Sequence, residues 1–152
     1  MTNKRTFPLR FIADSSFIID LFKDTDIAIE VIEKLSKIHM NSEQAMNHNL
    51  ISDECFKESI KIKEMRGAVL LGAFHPAPFP GYVRDSKEKE SKIIRWAVNV
   101  ANRKPWEIII LTSEENSKKY INNKHYTAEV NTAIKISYGD EAIRIINLLS
   151  DF

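Results

Sequence analysis

Glu107-Ile108-Ile109-Ile110-Leu111 constrains the fold of this chain more than any other segment. Successive side chains of a strand point to opposite faces, so four consecutive aliphatic residues without alternation require both faces to be buried. Strands of that kind belong to parallel sheets, whose crossover helices cover both faces. The chain must therefore supply helices between its strands.

It does so in order. Leu9 to Ala13 reads as a strand, ended by Asp14-Ser15-Ser16, and Phe17, Ile18, Ile19, Leu21 and Phe22 read as a short helix. Asp26 is the expected cap of a second helix, with Ile27, Val31, Ile32 and Leu35 on one face. After the polar stretch 41–49, Leu50-Ile51 reads as a very short strand. Ser52 should cap a third helix running to about Arg66, which Gly67 stops. Val69 to Phe74 is apolar and of either type. Pro76, Pro78, Pro80 and Gly81 predict a loop over His75 to Arg84. A long helix is expected from Asp85 to Asn102, then the strand Glu107–Leu111, a short helix after Thr112-Ser113, a last strand over Val130 to Ile136, and a closing helix from Gly139. The predicted fold class is α/β, a single domain of three layers with a central, mainly parallel sheet flanked by helices.

Composition narrows the function. The 152 residues suffice for one core, and 43% hydrophobic with 28% charged residues is ordinary for a globular chain. With 22 basic and 21 acidic residues the formal charge is +1, so nucleic-acid binding requires a local basic patch. A single cysteine, Cys55, excludes an internal disulfide and fits a reducing cytoplasm. Asp14 and Asp20 interrupt the apolar stretch behind Lys4, Arg5 and Arg10, so neither a signal peptide nor a membrane span is expected. His39, His48, His75 and His125 form no spaced set, and we expect no zinc site. No glycine precedes Gly67, which argues against a glycine-rich phosphate loop behind the first strand.

Four acids stand where solvated charges are not expected. Ligands of open α/β sheets bind beyond the C-terminal ends of the strands, and Asp14 and Glu114 each follow a strand. Asp14 is alternatively an N-cap. Glu58 lines up with Cys55, Ile62 and Met65, and Glu90 with Ile93, Ile94 and Ala97, so both lie on apolar helix faces. A buried carboxylate needs a partner, either a basic side chain or a divalent cation shared among acids. Glu115 is the rival of Glu114, but Thr112-Ser113-Glu114-Glu115 also reads as a capping box. Asp85 is the rival of Glu90.

These segments resemble the PIN domain family. Phe11-Ile12-Ala13-Asp14-Ser15-Ser16-Phe17-Ile18-Ile19-Asp20-Leu21 looks like its opening strand, acid, hydroxyl pair and helix. Ile51 to Glu58 is similar to its Ser-capped helix with the second acid, and Glu90 to Ala97 to its third-acid segment. Ile109-Ile110-Leu111-Thr112-Ser113-Glu114 resembles the strand leading to the fourth acid. The resemblance runs from about Leu9 to Leu149. Two positions depart from the pattern, with Glu90 and Glu114 where the family usually carries Asp. Val69 to Arg84 has no counterpart.

The resemblance implies a nuclease that hydrolyses RNA phosphodiester bonds, with Asp14, Glu58, Glu90 and Glu114 as catalytic ligands of Mg²⁺ or Mn²⁺, directly or through water. Such hard cations suit oxygen ligands and offset the charge of the phosphate. Ser16 and Thr112 would support the carboxylates. Lys92, Arg95, Arg103, Lys104 and Lys118 are the expected contacts to single-stranded RNA, with Lys119 beside them and Trp96, Trp106 and Tyr82 available to stack on bases. A ribonuclease toxin would bring a small antitoxin partner and a homodimer. The competing expectation is a catalytically inactive PIN-like module that binds RNA or protein and holds its acids in salt bridges.

Overall fold

The computed structural model describes residues 9–40, 49–61, 67–103 and 107–149. Among the described residues five strands form one sheet: β1 (Leu9–Ala13), β2 (Asn49–Ser52), β3 (His75–Ala77), β4 (Glu107–Thr112) and β5 (Ile134–Tyr138). Their order is β3-β2-β1-β4-β5, and every pairing is parallel. The fold class is thus α/β with an all-parallel sheet. Ile108, Ile109, Ile110 and Leu111 are all buried, as their lack of alternation requires.

Among the described residues seven α-helices connect and flank these strands: α1 (Ser15–Leu21), α2 (Thr25–Met40), α3 (Asp53–Ser59), α4 (Gly67–Ala73), α5 (Lys89–Arg103), α6 (Glu114–Ile121) and α7 (Gly139–Leu149). Right-handed crossovers put the helices of the β1→β2→β3 half on one face and those of the returning half on the other. The packing agrees for α2 with α4 and for α5 with α6, whereas the closing α7, which follows β5, lies on the α2 face. The close α2–α4 contact passes Gly72, where an added Cβ would stand 3.1 Å from Ser36 Oγ. Strand order reverses between β1 and β4, so the binding crevice of this sheet opens beyond their C-terminal ends, where Asp14 and Thr112 lie.

Several boundaries differ from those read in the sequence, each for a local reason. Asp24, not Asp26, caps α2, its carboxylate accepting from Ile27 N at 3.3 Å. α3 ends at Ser59 rather than near Arg66, where Ser59 Oγ donates back to Cys55 O at 2.7 Å. Residues 62–66 lie outside the described residues, and Gly67 opens α4, which makes the apolar run after it helical. His75–Ala77 is a strand despite Pro76, because β3 is an edge strand and proline is tolerated where no ladder donor is needed. α5 begins at Lys89 because turns closed by Val83 N→Pro80 O and Ser86 N→Val83 O occupy the preceding stretch. Val130–Thr132 is a 3₁₀ turn, held by Thr132 N→Glu129 O and Ala133 N→Val130 O, so β5 starts only at Ile134. Among the described residues no helix is long and apolar enough to cross a membrane.

Candidate functional site

Asp14 follows the last residue of β1, and its amide extends the ladder by donating to Leu111 O at 3.0 Å. The backbone thus fixes the carboxylate in the crevice, where it is 0% exposed. Oδ1 accepts from Phe17 N at 3.0 Å, capping α1, and from Ser16 Oγ at 2.6 Å. Oδ2 accepts from Thr112 Oγ1 at 2.6 Å and from Tyr120 OH at 2.7 Å. Four donors therefore hold one buried carboxylate, an arrangement that keeps an unpaired charge out of the core. Ser16 Oγ also lies 3.2 Å from Thr112 Oγ1 and accepts from Ser113 N at 3.2 Å, tying the ends of β1 and β4 together. Ser16 and Thr112 were expected beside this acid and stand there.

Tyr120 is the participant that the sequence did not reveal. It is fully buried on α6, and its hydroxyl reaches the acid 106 residues away in sequence. Burial pushes its phenol well above the usual 10.0, and the charge of Asp14 and the hydrogen bond to it act in the same direction. The charge of Glu90, which follows Lys89 in the first turn of α5, adds to this rise. The available signal was a large aromatic residue on a helix that otherwise carries only polar residues from Glu114 to Lys119.

Glu58 approaches from α3 with a side chain 44% exposed, so it sits at the rim rather than on a buried face. Ser15 Oγ donates to its Oε1 at 2.9 Å, and Lys89 Nζ donates to the same oxygen and lies 3.3 Å from Ser15 Oγ. Burial would raise the Glu58 pKa, but the hydrogen bonds from Lys89 and Ser15 and the charges of Lys89 and Lys61 outweigh it, and the net shift is downward. Burial likewise opposes the charge on Lys89, and Glu58 with the more distant Cys55 and Asp14 more than restores it, so the ammonium's pKa is raised. Lys89 is the second residue that sequence reading missed, because one lysine in Asp85-Ser86-Lys87-Glu88-Lys89-Glu90 is indistinguishable from another before the helix phase is known.

Glu90 is 9% exposed, in the first turn of α5, and takes part in none of the ion pairs found among the described residues. Glu114 does not join this group. It is exposed and lines a separate pocket with Asp20, Ser137, Asp140 and Glu141 near the end of β5. Its neighbour Glu115 is exposed too, and Ser113, not Thr112, caps α6 by accepting from Asn116 N, so the expected capping box does not form.

The cations expected to contact RNA also separate. Lys92 is turned to Glu54 at 3.3 Å and to the ring of Phe79. Arg95 donates to Ser86 Oγ at 2.7 Å and lies 5.3 Å from the centroid of Tyr82, which is 48% exposed. Arg103 lies at the opposite end of the sheet, because α5 starts at the crevice and carries its last turn away from it. There its charge adds to burial in lowering the Arg10 pKa to about 10. Lys104 and Trp106 lie outside the described residues. Trp96 is buried edge-on against Phe79 and is not available to a base. Exposed Lys118, Lys119 and Lys124 border a groove of about 430 Å³ with Glu88, Asn122 and Asn123. His125 is near enough to Arg95 and Lys124 that their charges, after desolvation, lower its pKa despite Glu88.

Among the described residues no group of three or more His, Cys, Asp or Glu is placed to hold a metal ion. The donor set agrees with this. A dication on Asp14 would displace hydroxyls that already occupy both oxygens, and one on Glu58 would displace an ammonium. Asp14 and Glu58, partnered in this way, do not fit a shared Mg²⁺ or Mn²⁺. Compared with protein-family models, curated proteins and solved structures, the chain finds no match.

Proposed function

We propose that this chain is a PIN-like module that binds single-stranded RNA and whose acidic centre is structural. The observation that carries the reading is the cationic face built by α5, α6 and the loops beside them. There the Arg95 guanidinium stacks near exposed Tyr82, with Lys118, Lys119 and Lys124 around it along a groove that Glu88 shares. Lysines along a groove follow a phosphate backbone without demanding a sequence, and an exposed ring offers stacking to any base. The saturated Asp14 and the Lys89–Glu58 pair support a centre that organises four helices, α1, α3, α5 and α6, around the sheet rather than one that handles phosphate.

A second reading, a Mg²⁺- or Mn²⁺-dependent endoribonuclease, is favoured by Glu90 alone, a buried carboxylate beside this centre without an ion-pair partner among the described residues. The small protein partner and paired chain implied by the resemblance belong to that reading.

One experiment separates the two. A fluorescent single-stranded RNA is titrated with the protein in EDTA and in Mn²⁺, following anisotropy and then strand integrity on a gel. Binding in EDTA that Arg95→Ala with Lys124→Ala weakens, and intact RNA in Mn²⁺, supports the module. Mn²⁺-dependent cleavage abolished by Asp14→Asn would establish the nuclease instead.

A further inference from the structure

We propose that Lys89 is the acidic centre's own cation: a tethered ammonium that neutralises the Glu58 carboxylate at the crevice and excludes a divalent ion from it. Its Nζ bonds Glu58 Oε1 and lies 3.3 Å from Ser15 Oγ, while Ser15 donates to the same carboxylate at 2.9 Å. One charge thereby joins the starts of α1 and α5 to α3, the cross-linking that a shared metal ion otherwise provides. The ammonium stands at the crevice of the strand reversal, where it meets Ser15 while the neighbouring Ser16 donates to Asp14.

Helix physics makes the position informative. Lys89 is the first residue of α5, where the partial positive charge of the helix end disfavours a cation. Its location is therefore explained by the carboxylate it meets and not by the helix that carries it. The pair also differs from a solvated surface bridge, because the lysine side chain is only 29% exposed and Ser15, its second partner, is buried.

The test uses the full chain and Mn²⁺ as the probe, with thermal unfolding and Mn²⁺ electron paramagnetic resonance as readouts, so it is independent of RNA. The wild type should unfold at the same temperature in EDTA and in Mn²⁺ and bind no ion specifically. Lys89→Met should unfold at lower temperature in EDTA, bind a single Mn²⁺ per chain and recover about 5–10 °C at saturating ion. Adding Glu58→Gln should remove that recovery, and Lys89→Arg should behave as the wild type. A Lys89→Met protein that melts like the wild type and ignores Mn²⁺ would overturn the proposal, as would a wild type that binds one Mn²⁺ and loses it in Asp14→Asn. Should Lys89→Met not fold, the wild type and Lys89→Arg decide: both indifferent to Mn²⁺ supports the proposal, and stoichiometric binding by either refutes it.

Discussion

Replacing Tyr120 by Phe removes one oxygen from the centre and leaves the ring in place, so it isolates the bond to Asp14 from the packing of a fully buried side chain. A hydrogen bond to a charged group contributes about 1.5–3 kcal/mol, and Asp14 keeps three other donors, so the cost should fall in that range without collapse of the site. For a chain of this length that corresponds to a melting temperature lower by roughly 3–12 °C at neutral pH. Alkali supplies an independent check. The folded phenol titrates well above the unfolded value of 10.0, so below pH 10 both states hold the proton and the stabilisation is complete. Above pH 10 the unfolded chain releases a proton that the folded chain retains, and this one group lowers stability by about 1.4 kcal/mol per pH unit. Tyr120→Phe lacks that loss, so its deficit against the wild type should shrink as pH rises. Tyr126, whose phenol burial also raises, contributes the same background to both proteins. Urea unfolding at pH 7 and at steps above pH 10 measures the two curves. Equal stability at pH 7 together with parallel alkaline slopes would refute the assignment of Tyr120 to Asp14.

Asp14→Ala strands the Ser16, Thr112 and Tyr120 hydroxyls and the Phe17 amide, and should cost about 3–5 kcal/mol by urea unfolding. Glu58 titrates below its usual 4.5, so its stabilisation is present above that value and is lost as pH falls through the folded pKa. Lys89→Met should flatten this acid-side loss in a pH series of melts. Gly139 links β5 to α7 at φ +59 with nothing within 4 Å of an added Cβ, so Gly139→Ala should cost about 1–2 kcal/mol from backbone strain alone, and Gly139→Asn less, as measured by urea unfolding. If Arg95, Lys118, Lys119 and Lys124 each meet a phosphate, log K for RNA should fall against log[salt] with a slope near −3, and each Lys→Ala change should reduce that slope by about 0.7.

What the sequence disclosed and what it concealed divide along a physical line. The doubly buried β4, the acid behind β1 and the hydroxyl pair around it were legible because each depends on residues adjacent in the chain, where periodicity and turn chemistry act. Ser16 and Thr112 could be set beside Asp14 because strands in one parallel sheet end at one edge, which topology alone guarantees. Arg103 was misplaced for want of the same reasoning applied to a helix, since α5 spans the sheet and its two ends serve opposite edges. Glu58 and Glu114 were harder, because an acid's position along a helix fixes its level but not the direction in which a flexible side chain is pulled. Lys89 holds Glu58 at the rim, and the first turn of α6 carries Glu114 toward β5. Tyr120 shows the limit most sharply, because its hydroxyl meets Asp14 only after β1, β4 and α6 have all been placed. The acids of such a crevice therefore have to be read together with every donor that the fold brings to the same edge. A carboxylate that already holds four donors, next to another that holds an ammonium, has its charge answered within the chain. On the reading proposed here the acidic pattern marks how the sheet's two halves are locked together, and the search for a ligand moves to the lysines of α6 and the ring of Tyr82.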